Sequence, residues 1–266
     1  MSVRALILTG FGINCDNETE YAFRLAGAAA QRMHLNDLLA SPDLLEAASI
    51  LAVPGGFSFG DDIASGRILA NRLRYRLGEP LAQFIGEGKL VIGICNGFQV
   101  LVKMGLLPMV SAPFIQEVTL THNDSGRFEN RWVKLKADPS SVCVWTRGID
   151  TIELPVRHGE GKFIACDAQF YDQMKASGLV ALRYCNADGR LAKGEYPANP
   201  NGSIDDVAGL CDATGRVFGL MPHPEANVHR THHPRWTREA LEAEGQGLQI
   251  IRNGVAYAQA AVTAAV

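Results

Sequence analysis

The chain has 266 residues, of which 47% are hydrophobic and 20% are charged. This balance is typical of a folded globular protein and excludes a disordered or coiled-coil chain. The formal net charge of −3 at pH 7 comes without clusters of Lys and Arg, so we expect no nucleic-acid partner. No apolar stretch approaches the ~20 residues of a membrane helix, and no signal peptide is recognisable. We therefore expect no membrane contact and a cytoplasmic location.

The first hundred residues alternate strand and helix signals. Asn17 followed by Glu20 predicts a helix start, and Gly27 predicts its end. Strands that are apolar throughout and separated by helices predict a parallel sheet covered on both faces. Its ligand crevice lies beyond the carboxyl ends of the strands, and both Gly55-Gly56 and Cys95 follow predicted strands. The strands are predicted at residues 3–9, 30–34, 50–53 and 90–94.

The pattern changes in the second half of the chain. Short mixed segments between residue 111 and about residue 154 predict an antiparallel excursion from the main sheet. Residues 207–211 and 217–221 flank a turn with Gly215 and predict a β-hairpin. A final helix is predicted from Thr237 to about Arg252, and the alanine-rich end from Val255 predicts another. Without a repeat or linker, we expect an α/β fold in one domain over residues 1–266, with a helical tail from about 237.

The cysteines and histidines show no metal-binding spacing. Six cysteines are widely scattered and never form C-x-x-C, so neither a zinc motif nor a compact disulfide framework is indicated. His229, His232 and His233 lie close together, but no cysteine or carboxylate completes an obvious site there. We expect residues 229–236 to form a solvent-exposed or partner-facing loop, and we expect no metal site in this chain.

The segment Gly93-Ile94-Cys95-Asn96-Gly97 lies between a buried strand and a helical run. A nucleophile elbow needs small residues on both sides of the nucleophile, because the strand-to-helix turn is tight. A thiol at the start of a helix meets the positive end of the helix dipole, which favours the thiolate. The pattern predicts Cys95 as a nucleophile and the Asn96 amide as an oxyanion donor. The alternative is a buried cysteine in a glycine-flanked turn.

Two further segments fit this chemistry. His223 and Glu225 are two residues apart, so in an extended segment they project to the same side. The carboxylate can then orient the imidazole, and the imidazole can exchange protons with Cys95 and with a leaving amine. The adjacent Gly55 and Gly56 let backbone amides approach a substrate, which predicts a second oxyanion donor at Gly56. A surface loop and a plain glycine turn are the respective alternatives.

Together these residues resemble the triad, or class I, glutamine amidotransferases. Seven segments in the same order resemble the glutaminase part of the phosphoribosylformylglycinamidine synthases. This resemblance implies a flavodoxin-like fold with a mostly parallel central sheet flanked by helices. The seven segments are residues 10–16, 54–61, 93–99, 126–132, 158–161, 196–203 and 219–225.

The resemblance also implies an activity. Glutamine is hydrolysed to glutamate through a thioester on Cys95, and ammonia passes through a protein tunnel to a large synthetase subunit. That subunit uses ATP and magnesium to convert formylglycinamide ribonucleotide to its amidine in purine biosynthesis, so we expect no cofactor in this chain. An additional small subunit is a further candidate partner. By resemblance, the nucleophile is Cys95, the base His223, the orienting carboxylate Glu225, and the substrate-binding residues are Gln99, Gly55 and Phe57.

Two other hypotheses remain open at this stage. The first is a stand-alone cysteine amidase or peptidase of a related fold, since an elbow alone does not name a substrate. The second is a catalytically silent regulatory subunit or scaffold. Comparing the hydrolysis of glutamine, asparagine and short peptides separates the enzymatic hypotheses, whereas selective alkylation of Cys95 by a glutamine analogue excludes a silent protein.

Overall fold

The protein is described by a computed structural model that covers residues 2–264. Strands and helices alternate along its first half. They are β1 (Arg4–Thr9), α1 (Asp16–Leu25), β2 (Ala29–His34), α2 (Leu35–Ala40), β3 (Ile50–Val53), α3 (Arg67–Gly86), β4 (Leu90–Ile94) and α4 (Asn96–Met104). The second half is richer in strands. It contains β5 (Val118–Thr121), β6 (Glu129–Ala137), β7 (Thr151–His158), β8 (Lys162–Ala165), α5 (Ala168–Ala176), β9 (Val180–Cys185), β10 (Val207–Cys211), β11 (Val217–Leu220) and α6 (Gly247–Ala264).

A nine-stranded sheet in the order β2-β1-β3-β4-β11-β10-β9-β6-β7 forms the centre of the molecule. The first five strands of this order pair in parallel. Strands β3 and β4 are buried along their whole length, as expected for parallel strands covered on both faces. The predicted parallel sheet of an α/β fold is thus confirmed.

The remaining strands of the large sheet pair antiparallel, from the β10–β11 hairpin out to β7. The hairpin and the antiparallel excursion are therefore confirmed, although β5 leaves the main sheet and pairs with β8 in a separate two-stranded sheet. Strand β7 is the last strand in the order, so one of its edges has no strand partner among residues 2–264. That edge meets the site described below.

Helices α1 and α6 contact each other, as do α3 and α4. The apolar side chains of helices and strands form one hydrophobic core. Among the residues that the structure describes, no helix combines the length and the apolar character that crossing a bilayer requires.

The prediction for the C-terminal helices was wrong. Residues 237–246 contain no helix, and α6 is one helix without a break. It begins at Gly247, whose amide donates to the Asn227 carbonyl at 2.8 Å. Gly254, which separates the two predicted helices, lies inside α6 and packs directly against Trp145. A Cβ added at Gly254 would lie only 2.2 Å from Cζ3 of Trp145. The indole ring occupies the space that a side chain would need.

Candidate active site

Cys95 occupies the single residue between β4 and α4. Its backbone angles are φ 50° and ψ −104°, a conformation that an L-residue adopts only when its surroundings enforce it. The surroundings here are tight, since a Cβ on Gly93 would lie 2.6 Å from the Gly97 carbonyl oxygen. A Cβ on Gly97 would lie 1.8 Å from the Val53 carbonyl oxygen. Both glycines are thus required for the elbow that presents the thiol.

The end of β11 and the edge of β7 contact this elbow. The Cys95 amide donates to the Leu220 carbonyl at 2.8 Å, which ties the elbow to the end of β11. Its Sγ lies 3.5 Å from the Arg157 carbonyl oxygen on β7. The His223 amide donates to the Pro155 carbonyl, also on β7, at 2.8 Å. Strand β7 therefore holds both the thiol and the histidine backbone.

His223 and Glu225 form a buried pair. Nδ1 of His223 lies 2.6 Å from Oε1 of Glu225, and each residue is 2% exposed. A Cβ placed on Gly55 would lie 2.8 Å from Cε1 of His223 and 3.5 Å from Cβ of Cys95. Gly55 thus leaves room for the imidazole beside the nucleophile, and the structure brings the three predicted catalytic residues together.

The pKa of His223 reflects opposing influences. Burial alone would lower it, but the Glu225 carboxylate and the Cys95 sulfur outweigh burial and raise the pKa well above its ordinary value. Within residues 2–264, Nε2 of His223 and Oε2 of Glu225 are buried without a hydrogen-bond partner. The balance of these influences favours the imidazolium form of His223, and Nε2 is the nitrogen left for proton transfer.

The two backbone amides predicted as oxyanion donors, those of Gly56 and Asn96, differ in their surroundings. Gly56 has φ +149°, and a Cβ there would lie 2.4 Å from the Gly12 carbonyl oxygen, so only glycine fits. Its neighbour Phe57 donates to that same carbonyl at 2.8 Å, whereas the Gly56 amide makes no backbone hydrogen bond within the described chain. The Asn96 amide is the first of α4 and has no acceptor inside the helix.

The predicted substrate-binding residues differ in their surroundings. Gln99 is buried, with Nε2 donating to the Glu160 carbonyl at 2.5 Å and Oε1 accepting from Nδ2 of Asn96 at 3.0 Å. The amide of Gln99 therefore links the nucleophile helix to the loop after β7, and its contact with substrate stays a prediction. Phe57 is 47% exposed, and its ring centroid lies 6.2 Å from that of Phe128.

Cys15 also lies beside the catalytic residues, although no sequence motif assigned it a role there. Its Sγ would lie 3.4 Å from a Cβ on Gly55, and its thiol is among the groups that raise the pKa of His223. Cys15 lies in the loop between β1 and α1, beyond the carboxyl end of β1, and Cys95 directly follows the carboxyl end of β4. The rule that places a ligand crevice beyond the carboxyl ends of parallel strands applies to both and could have identified it.

The segment of residues 229–236 is not simply a solvent loop. His233 is buried, with Nε2 3.3 Å from Oε2 of Glu153 and its ring 5.0 Å from that of Trp132. Nε2 of His229 lies 2.8 Å from the hydroxyl of Tyr21. The segment thus packs against other parts of the chain through the imidazole rings of His229 and His233.

Comparison with known proteins agrees with this geometry. A family model described as the CobB/CobQ-like glutamine amidotransferase domain matches residues 2–258. The chain belongs to the glutamine amidotransferase family. Among its relatives, "Phosphoribosylformylglycinamidine synthase subunit PurQ" of Dehalococcoides mccartyi is 48% identical over 257 residues, which cover 97% of this chain and 98% of that protein.

Other members of the family give the same picture. The PurQ subunit of Methanococcus maripaludis is 42% identical over 265 residues, covering 96% of this chain and 97% of that protein. A chain in the solved "Structure of PurLQS from Thermotoga maritima" aligns with a TM-score of 0.71 at 27% identity. The alignment covers 97% of this amidotransferase and 99% of that chain. The family predicted from seven short segments is thus confirmed over nearly the whole chain.

Proposed function

We propose that this amidotransferase is the glutaminase subunit of a phosphoribosylformylglycinamidine synthase. It hydrolyses glutamine and delivers the ammonia to a separate synthetase subunit, which forms the amidine of formylglycinamide ribonucleotide in purine biosynthesis. The observation that carries this proposal is the elbow thiol of Cys95 beside the buried His223–Glu225 pair. The similarity of this chain to two PurQ subunits, over 98% and 97% of their lengths, gives further support.

The first half of the reaction forms a thioester. The Cys95 thiolate adds to the side-chain amide carbon of glutamine, and the resulting oxyanion accepts hydrogen bonds from the Gly56 and Asn96 amides. The C–N bond then breaks as the His223 imidazolium gives its proton to the departing nitrogen, which leaves as ammonia. Glu225 stabilises the imidazolium beforehand and fixes its orientation.

The second half regenerates the Cys95 thiolate and the His223 imidazolium. Water attacks the thioester carbonyl while the now neutral His223 takes a proton from it. The same two amides hold the second oxyanion, and glutamate leaves as the sulfur is released. One histidine therefore serves as acid and then as base, and the loop around Gly56 acts in both steps.

The remaining components belong to the partner. ATP, magnesium and the ribonucleotide bind to the large synthetase subunit in this proposal, and this chain needs no cofactor of its own. An additional small subunit completes the complex, and the location is the cytoplasm. The solved Thermotoga maritima structure is one of PurLQS, which supports an assembly of this kind.

The first test removes the nucleophile. We expect Cys95→Ala to lower the glutaminase rate by more than about 10⁴-fold while glutamine still binds, as measured by ammonia release and by calorimetry. Cys166→Ala is the matched control, because Cys166 is also a free cysteine but is exposed. Glutaminase activity in Cys95→Ala close to that of the control would contradict the assignment. Faster hydrolysis of peptides than of glutamine would favour a peptidase.

The second test concerns the partner. Mixing this chain with the synthetase of the same organism should make amidine formation depend on glutamine, whereas the synthetase alone should need added ammonia. The Cys95→Ala chain should leave the ammonia-dependent rate intact and abolish the glutamine-dependent rate. Glutamine dependence that does not respond to this chain would refute the partnership without touching the glutaminase assignment.

A further inference from the structure

The segment that carries the Gly56 amide has an unusual backbone. Residues 54–61, which follow β3, are called the oxyanion loop below. Its last three residues, Phe59, Gly60 and Asp61, have φ values of 55°, 71° and 54°. Phe59 and Asp61 are not glycine, so the left-handed conformation costs energy at both of them. Neighbouring groups must therefore hold the loop in this shape.

The side chain of Asn96 is one of these groups. Asn96 is the first residue of α4 and is buried. Its Oδ1 accepts from the Ser58 amide at 3.2 Å, and its Nδ2 donates to Oδ1 of Asp61 at 3.3 Å. A backbone amide can only donate and a carboxylate can only accept, so these two contacts fix the orientation of the Asn96 side chain. The nucleophile helix thus contacts the oxyanion loop at two points.

The carboxylate of Asp61 connects the loop to a second helix. Its Oδ1 also accepts from the Gly66 amide at 3.3 Å, and its Oδ2 accepts from the Ser65 hydroxyl at 3.0 Å. Ser65 and Gly66 lie directly before α3. The left-handed end of the oxyanion loop is therefore anchored between the start of α3 and the start of α4.

These contacts restrict the direction of the Gly56 amide. The next amide along the chain, that of Phe57, donates to the Gly12 carbonyl at 2.8 Å. The one after it, that of Ser58, donates to Asn96. Any rotation of the loop that turned the Gly56 amide away from the elbow would break one of these two hydrogen bonds. The cost of breaking a buried hydrogen bond opposes that rotation.

We propose that Asp61 and the side chain of Asn96 are positioning residues that hold the two oxyanion donors in register. Asn96 supplies one donor with its backbone, and its side chain holds the loop that supplies the other at Gly56. A misplacement of about 1 Å in such an arrangement can lower the rate about 10²-fold. The effect on catalysis rests on the proposed glutaminase function, whereas the hold on the loop does not.

The kinetic test removes the carboxylate of Asp61. Glycine adopts a positive φ without a side-chain cost, so Asp61→Gly removes the anchor and permits the same backbone. We expect kcat for ammonia release to fall about 10²-fold with little change in KM, because the oxyanion forms only during the reaction. Asp62→Gly is the matched control at the adjacent, exposed aspartate and should keep the wild-type kcat. A wild-type kcat in Asp61→Gly would overturn the proposal.

The conservative variant separates positioning from charge. Asp61→Asn keeps an oxygen that accepts from Asn96 and from the Gly66 amide, and its amide group can donate to the Ser65 hydroxyl. Its kcat should lie within about tenfold of the wild type, since neutral hydrogen bonds are about half as strong as charged ones. A kcat of Asp61→Asn as low as that of Asp61→Gly would refute a role that depends on these hydrogen bonds.

Alkylation of Cys95 distinguishes the oxyanion donors from the rest of the site. Iodoacetamide reacts with the thiolate by displacement and forms no oxyanion. Cys95 of Asp61→Gly should therefore be alkylated at the wild-type rate, as followed by mass spectrometry, although its turnover is slow. If alkylation slows in proportion to turnover, the nucleophile itself has been displaced, and the positioning role is wrong.

A double variant tests whether the two side chains act through one contact. Asn96→Ala keeps the backbone donor of residue 96 and removes the side chain that holds the loop. Because Asp61 and Asn96 share a hydrogen bond, their effects on kcat should not add. The double variant should be no slower than the slower single variant. A kcat that equals the product of the two separate losses would show that the residues act independently.

Hydrogen exchange tests the hold on the loop without any substrate. In Asp61→Gly, the amides of residues 54–61 should exchange at least about tenfold faster than in Asp62→Gly, the effect of losing a hydrogen bond to a charged group. Mass spectrometry of the peptide that covers the loop measures this. Equal exchange in both variants would overturn the proposal. If the wild type releases no ammonia, the proposed function fails, and the exchange rates still decide whether Asp61 holds the loop.

Discussion

At the residue scale, Glu225 decides the state in which His223 meets the substrate. Burial lowers the pKa of that histidine, and the carboxylate 2.6 Å away is the largest of the influences that raise it. A neutral amide in place of the carboxylate would remove the largest influence that raises the pKa of His223. Burial would remain, so the pKa would fall. The imidazolium that protonates the leaving nitrogen would then be lost at a lower pH.

We therefore predict that Glu225→Gln moves the alkaline limb of the pH profile of kcat/KM to lower pH. The value of kcat/KM itself should fall by about 10²–10⁴-fold, the range of a general acid or base. The measurement is glutamine hydrolysis as a function of pH. Glu87→Gln is the control, because Glu87 is exposed and lies outside the site. An alkaline limb that stays in place in Glu225→Gln would show that the carboxylate does not set the charge of His223.

Residue patterns located part of this site and not the rest. Cys95 was recognisable from its flanking glycines, and His223 and Glu225 from their spacing of two. Cys15 carries no such local pattern, and the involvement of the Arg157 carbonyl depends on backbone rather than side-chain identity. Contacts of that kind arise from tertiary structure and leave no mark in the local sequence.

At the scale of elements, the elbow depends on how closely α4 approaches β3. The contact point is Gly97, where an added Cβ would lie 1.8 Å from the Val53 carbonyl oxygen. Both elements are buried and close-packed, so neither can shift without displacing its neighbours. A side chain at Gly97 would push the helix away and take the Cys95 thiol with it.

We predict that Gly97→Ala destabilises the protein by about 1–3 kcal/mol, the usual cost of overpacking a core, and lowers the glutaminase rate. Gly86→Ala is the matched control, because Gly86 ends helix α3 and nothing lies within 4 Å of an added Cβ. That variant should be neutral or slightly more stable. Urea unfolding and ammonia release measure the two effects. Equal stability of both variants would mean that the close approach at Gly97 is not a constraint.

The contacts of strand β7 with the site could not be predicted from the order of strands and helices in the sequence. On its edge away from β6, the Glu153 carbonyl accepts from Nδ2 of Asn227 at 2.9 Å and the Pro155 carbonyl accepts from the His223 amide at 2.8 Å. The carbonyl of Arg157, two residues further along the strand, accepts from the Cys95 thiol. Every second carbonyl of β7 points to the same edge because of strand geometry. That β7 itself lies at the edge of the nine-stranded sheet follows only from the complete topology.

At the scale of the whole molecule, the parallel half of the sheet was predictable because its central strands β3 and β4 are continuous apolar runs that alternate with helices along the chain. The antiparallel half was predicted only coarsely, since its strands are mixed in polarity and pair across long stretches of chain. This half brings a second histidine close to the site. His158 ends β7 and is buried, and its Nδ1 lies 3.1 Å from Oδ1 of Asn123.

The hydrogen bonds fix the tautomer of His158. Nδ2 of Asn123 donates to the carbonyls of Arg127 and His158, and Oδ1 accepts from the Gly161 amide. Oδ1 of Asn123 is therefore an acceptor, and Nδ1 of His158 is the nitrogen that carries hydrogen. Burial, followed by the charge on His223, lowers the pKa of His158 to about 4. The folded protein thus keeps this ring neutral, with Nε2 buried and unprotonated.

This neutral histidine makes the whole molecule sensitive to acid. The pKa of His158 is lower in the folded state, so between about pH 6.5 and about pH 4 the unfolded chain gains a proton that the folded chain does not. Its contribution to the free energy of unfolding should fall by about 2 kcal/mol from pH 7 to pH 5.

His158→Asn keeps a donor near Nδ1 and removes the titrating ring, so the unfolding free energy of this variant should depend less on pH between pH 7 and pH 5. Urea unfolding at both pH values measures this, with His122→Asn as the control at an exposed histidine. Equal acid sensitivity in His158→Asn and the control would mean that other groups destabilise the protein in acid.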